Sequence, residues 1–111
     1  MPRELEWDEW DERSDHALAL DASGSAVGTA RLLPDGHIGR VAVLGSWRRQ
    51  GIGGMLLQAI LGQARLRGFR EVKLHAQVHA AGFYLRHGFT PGGTEFMEAG
   101  IAHLLMSREL D

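Results

Sequence analysis

The chain has 111 residues, no cysteine and a formal net charge of −2. That length fits one small domain, the missing cysteines exclude disulfides and thiolate zinc sites, and the acidic balance argues against general nucleic-acid binding. No apolar run approaches the ~20 residues that span a bilayer and the acidic start does not read as a signal peptide, so a cytoplasmic protein with neither membrane nor nucleic-acid partner is expected.

Residues 3–15, RELEWDEWDERSD, are charge-dense and read as a solvated entry segment whose Trp7 and Trp10 pack on the body. HALALDA at 16–22 and AVGTARLL at 26–33 alternate as strands do, with the turn SGS between them. PDG at 34–36 is a tight turn, and HIGRVAVL at 37–44 is a third strand completing an antiparallel meander. Gly39 within that strand marks a bulge or a close backbone approach. Residues 51–67 carry the clearest helical period, through Ile52, Leu56, Ala59, Ile60 and Gln63, with Met55 and Leu66 beside it and Gly68 as the stop. REVKLHA at 70–76 reads as a strand, 78–87 as a short helix stopped by Gly88, FTPGG as a break and 101–110 as the last strand. Strand, long helix and strand in succession predict a crossover that sets the third and fourth strands parallel. The fold class is therefore α+β (mixed α/β), with a mostly antiparallel sheet flanked by helices.

The stretch Val41–Gly54, VAVLGSWRRQGIGG, organises the chain. The first N–H groups of a helix have no partner inside it, and a polar cap residue usually serves one of them. Here Arg48, Arg49 and Gln50 are poor caps, and Gly51, Gly53 and Gly54 each cost roughly 0.5–1 kcal/mol relative to Ala in a helix. A helix start of this kind suits an anion approaching the backbone closely. A nucleotide P-loop fits poorly, because Met55 stands where Lys-Ser/Thr is needed, and G-x-G-x-x-G fails at Leu56.

A V-x-V strand (Val41-Ala42-Val43), a basic loop and the run Arg48-Arg49-Gln50-Gly51-Ile52-Gly53 opening a long helix resemble the acyl-CoA site of the GNAT superfamily of N-acetyltransferases. Tyr84-Leu85-Arg86-His87-Gly88-Phe89 matches the Y-x-x-x-G-F pattern of that superfamily, and LHAQVHAAGFY and EFMEAGIAH are similar to its ElaA/YjcF-type branch. The resemblance implies one acetyltransferase domain over 1–111, with the parallel pair splayed at the CoA site. It implies acetyl-CoA as co-substrate, with the pyrophosphate on the backbone of residues 49–54, Ile52 included, assisted by Arg48, Arg49 and Gln50. It places pantetheine along Val41, Val43 and Leu44, whose backbone groups are expected to be unpaired, with a Val43 amide polarising the thioester. Gln77 stands where many members have Asn to hold the pantetheine arm. Tyr84 is implied as the general acid for the leaving thiol.

For the general base, His75, His79 and His103 are candidates because an unperturbed imidazole titrates near pH 6.5; Glu95, Glu98 or a water chain are alternatives. His75 and His79 straddle a strand–helix junction with no evident carboxylate partner, so no metal is expected. The partner is a small-molecule or peptide amine. The usual leading strand and helices of the superfamily are not apparent, which predicts an unprotected edge on the 16–22 strand and so a homodimer or a piece of a longer protein. A CoA-binding or interaction domain of the same fold without acceptor chemistry is the alternative function.

Overall fold

The computed structural model describes residues 4–8, 14–39, 41–47 and 51–110. The long helix α1 (Ile52–Leu66) lies over two sheets. The first holds four strands in the order β1-β2-β3-β4: β1 (Glu4–Asp8), β2 (Asp15–Leu20), β3 (Ala26–Leu32) and β4 (Ala42–Val43), all antiparallel. The second is β5 (Glu71–Gln77), β7 (Ile101–Glu109) and β6 (Thr90–Glu98), in the order β5-β7-β6 and also antiparallel. Helix α2 (Ala81–Arg86) follows β5 through a 3₁₀ turn at Val78–Ala80.

The segment expected to be a solvated entry is in part a strand. β1 pairs with β2 from Glu4↔Leu20 to Asp8↔His16, and ELEWD does alternate with period 2. The expected bare edge of β2 is therefore covered, which removes the motive for pairing with a second copy there. Trp10 lies outside the described residues. FTPGG does not break the chain: Thr90–Glu98 is one strand. Pro91 is tolerated because β6 is an outer strand, where a missing N–H costs no ladder bond, and the register shift between Gly92 and Phe96 absorbs the glycines.

The expected 37–44 strand is interrupted. Gly39 N–H still donates to Arg31 O at 2.7 Å, but Ile38 N–H turns to Lys73 O at 2.7 Å. His37↔Lys73 is a single parallel bridge. Among the described residues the predicted parallel pair is thus reduced to one bridge between the sheets. Gly39 makes the close approach its residue type suggests, since a Cβ there would lie 2.9 Å from Arg31 Nε.

The core is the face of α1 carrying Ile52, Leu56, Leu57, Ile60, Leu61 and Ala64, set against Ala17, Ala19, Val27, Ala30 and Leu32 of the first sheet. Val72, Leu74 and Ala76 of β5 and Met106 of β7 close it from the second. Leu66, which the helical period had joined to this face, is 84% exposed. A Cβ on Gly28 would stand 2.9 Å from Leu56 Cδ1 and 3.2 Å from the Ala42 carbonyl oxygen, so this glycine is what lets α1 settle onto β3.

Both helices end alike. Gly68 and Gly88 take φ of 82° and 85°, and the next residues, Phe69 and Phe89, donate to Ala64 O and Tyr84 O at 3.0 and 3.1 Å. This is the Schellman arrangement. Gly88→Ala should therefore cost about 1–2 kcal/mol for the left-handed backbone, while Gly82→Ala inside α2, where φ is not positive, should gain about 0.5–1 kcal/mol. Urea midpoints of the two variants check the opposite signs.

Candidate active site

The sheets diverge beyond the His37↔Lys73 bridge and leave a cleft of about 600 Å³. The 37–42 segment forms one wall with His37, Gly39, Val41 and Ala42. Leu74, His75 and Gln77 of β5, with Tyr84 of α2, form the second. The β6–β7 hairpin closes it with Glu98, Ala99, Ile101 and His103. That hairpin has a two-residue turn in which Ala99 and Gly100 both have positive φ, 51° and 76°. Positive φ at both central residues suits the right-handed twist of the flanking strands. It fixes Glu98 directly opposite Ile101 at the mouth of the cleft.

Tyr84 is set by the cap described above. It is the residue whose carbonyl accepts from both His87 N–H and Phe89 N–H, at 3.0 and 3.1 Å. Its ring meets Phe89 edge-on at 5.8 Å and Phe83 edge-on at 5.0 Å. The spacing Y-x-x-x-G-F is thus the spacing of a Schellman cap with its usual apolar contact between the first and last residues. Arg108 Nη1 donates to His87 O at 2.8 Å and serves a further carbonyl at that helix end. Burial pushes the Tyr84 phenol above its ordinary value of 10.0, so it holds its proton throughout the neutral range.

The start of α1 adjoins this wall. Gly51 is the cap residue, with φ 78°, and its carbonyl accepts from Met55 N–H at 3.0 Å. The N–H groups of Ile52, Gly53 and Gly54 precede the helical ladder. Ile52 itself is a core side chain, 1% exposed. The other two glycines face aromatic rings, a neighbourhood that the sequence did not disclose. A Cβ on Gly53 would lie 3.5 Å from the Phe83 ring, and one on Gly54 3.3 Å from the His87 ring. The first is an ordinary contact and only the second is tight, so Gly54 is what leaves room for the end of α2 against the first turn of α1. Arg48, Arg49 and Gln50 lie outside the described residues.

Among the pantetheine candidates, Val41 and Gln77 line the cleft. Val43 pairs with Gly28 across β4 and β3. Leu44 corrects the expectation of unpaired backbone: its N–H donates to Val27 O at 2.9 Å and its carbonyl accepts from Trp47 N–H at 2.8 Å, because the chain completes the β3 ladder before leaving it. Among the base candidates, His75, Glu98 and His103 line the cleft; His79 and Glu95 are exposed and do not. His75 Nδ1 lies 3.2 Å from Glu98 Oε1, a carboxylate partner that a separation of 23 positions hid from sequence reading. His37 was missed altogether; only the Asp35-Gly36-His37 turn could have flagged it, and its Nδ1 lies 3.0 Å from Asp35 Oδ2. Among the described residues no three His, Asp or Glu side chains are grouped to hold a metal.

A family model for the acetyltransferase (GNAT) domain matches residues 2–110. The chain belongs to the GNAT acetyltransferase family. This GNAT chain is 35% identical over 113 residues to the uncharacterized N-acetyltransferase YjcF of Bacillus subtilis, a match covering 98% of the chain and 80% of that protein. Escherichia coli ElaA superposes with a TM-score of 0.77 at 31% identity, over 86% of the chain and 68% of ElaA. A GNAT family acetyltransferase from Elizabethkingia anophelis, solved with acetyl-CoA bound, shares the fold at a TM-score of 0.72 and 22% identity, over 89% of the chain and 78% of that protein. The chain spans from 60% to 80% of the length of the three Bacillus subtilis relatives it matches. Its fold class is as the sequence implied, a mixed α/β GNAT fold of antiparallel sheets flanked by helices. None of its described helices is long and apolar enough to cross a membrane.

Proposed function

We propose that this chain moves the acetyl group of acetyl-CoA to a primary amine, on a small molecule or a peptide, by direct attack, with Tyr84 as the general acid that protonates the departing thiolate. The observation that carries the reading is the position of Tyr84. It lines the cleft between the sheets, and its neighbour Phe83 sits on Gly53 at the start of α1. A thiol in the cleft and a pyrophosphate at the helix start would then belong to one extended donor. The N–H groups of Ile52, Gly53 and Gly54 suit the pyrophosphate, and the helix dipole favours its charge. Gly51 allows the turn, and Arg48, Arg49 and Gln50 supply cationic and amide donors. Val41, Val43, Leu44 and Gln77 lie along the pantetheine path, Leu44 by its side chain rather than its backbone. The acetyl-CoA bound to the Elizabethkingia anophelis protein supports this choice of donor.

Thermal unfolding with added ligand tests the donor. Acetyl-CoA and CoA at 100 times Kd should each add about 2.7 kcal/mol of stability, whereas ATP should add little. Stabilisation by ATP and not by CoA would sink the reading. Thiol release from acetyl-CoA across a panel of amines tests the second half; CoA binding with no release would leave a donor-binding domain without acceptor chemistry.

A further inference from the structure

We propose that His75 is the base that takes the proton from the acceptor ammonium, and that Glu98 is its positioning residue; this rests on the acyl-transfer reading above. An amine reaches a neutral solution mostly as ammonium and must lose a proton before it can attack. Among the described residues, three histidines and one carboxylate line the cleft: His37, His75, His103 and Glu98. An ionised carboxylate only accepts hydrogen bonds. The 3.2 Å contact with Glu98 Oε1 therefore fixes the His75 proton on Nδ1 and leaves the lone pair on Nε2. This is the base-plus-orienter arrangement that activates histidines in other enzymes.

Neither of the other two histidines makes such a hydrogen bond to a carboxylate. His103 is 6% exposed, donates from Nδ1 to Ile101 O at 2.7 Å, and turns Nε2 toward Glu98 Oε2 at 3.6 Å. Its ring stacks on Phe96, 5.9 Å away, and Phe96 meets His75 edge-on at 5.1 Å. His103 and Phe96 thus brace the pair from within β7 and β6. His37 stands edge-on to His75 at 6.1 Å, and its Nδ1, 3.0 Å from Asp35 Oδ2, makes no hydrogen bond. The His75 side chain is 43% exposed, so an acceptor can reach it.

The ammonium gives one proton to His75 Nε2. The freed nitrogen lone pair attacks the acetyl carbonyl carbon, the C–N bond forms and the C–S bond breaks. The thiolate takes the Tyr84 proton, the surplus proton on the new amide nitrogen returns to the Tyr84 oxygen, and the His75 imidazolium sheds its proton to water.

The test uses the full chain with ¹⁵N-labelled histidine, whose two-bond ¹H–¹⁵N correlations report which imidazole nitrogen carries the proton. His75→Gln assigns the signal. Neutral His75 should be the Nδ1–H form, and Glu98→Gln or Glu98→Ala should abolish that preference. A dominant Nε2–H form, or a tautomer indifferent to both Glu98 variants, overturns the pairing. The base role is read from thiol release with propylamine, an ammonium at neutral pH, and with 2,2,2-trifluoroethylamine, which is largely neutral there. His75→Gln should lose about 10²-fold with the first and under about 3-fold with the second. Equal losses overturn the base role. Absence of turnover by the unaltered chain with every amine sinks the acyl-transfer reading and the base role with it, while the tautomer spectra still decide the pairing.

Discussion

Replacing Tyr84 with Phe should lower turnover by about 10²–10⁴-fold, the usual worth of a positioned proton donor, with little change in CoA affinity or fold. The ring contacts that hold Tyr84, to Phe83 and Phe89, need only the ring. A substitution this close in volume should cost under about 1.5 kcal/mol of stability. Turnover by Tyr84→Phe equal to that of the unaltered chain would refute the assignment. A pH arm sharpens the result. The folded chain holds the Tyr84 proton more tightly than the ordinary value of 10.0, and burial is the cause. That contribution to stability is complete below pH 10 and is lost as pH rises from there through the folded value. The Phe variant has no such proton to lose. Denaturation at pH 9 and pH 11 should show a smaller loss for Tyr84→Phe than for the parent chain.

Phe89→Ala should be the most destabilising single change named here, by about 3–5 kcal/mol, since it empties a large buried site. Phe89 is 1% exposed and is among the largest fully buried side chains of the described residues. It is also the residue that completes the cap of α2 and touches Tyr84. Phe89→Leu keeps much of the volume but not the edge-to-face contact. It should cost far less stability while still lowering turnover, if the ring is what orients Tyr84. Urea midpoints with unchanged m-values measure the first effect, and thiol release measures the second. A cost below about 1 kcal/mol for Phe89→Ala would contradict the core packing described here.

Elements with a strong hydrophobic period were legible in the sequence. β2, β3, α1, β5 and β7 fall within one or two residues of their expected spans. β6 was not, because Pro91, Gly92 and Gly93 read as a break unless the strand is known to be an outer one. β1 was obscured by its acid content, although its alternation is plain once Glu4–Asp8 is seen beside β2. The 37–44 strand overreached, because local pattern does not show where a chain exchanges one partner sheet for another. At the site, Tyr84 and the glycines of α1 stand in short motifs that sequence reading can find. Glu98, 23 residues from His75, stands in none.

The chain by itself determined the proposed donor side. Gly51 through Gly54 and Tyr84 through Phe89 are local devices, a helix start and a helix cap, whose geometry follows from neighbours a few residues away. Only the tertiary structure decided two things. One is the packing at Gly54, where a Cβ would lie 3.3 Å from the ring of His87, just past the end of α2. The other is the proposed acceptor side, where His75, Glu98 and His103 arrive from β5, β6 and β7 and meet only because β7 lies between the other two strands. Backbone periodicity sets which residues share a face. It carries no information about which strand becomes the neighbour of which, and the His75, Glu98 and His103 wall of this cleft is built from that choice.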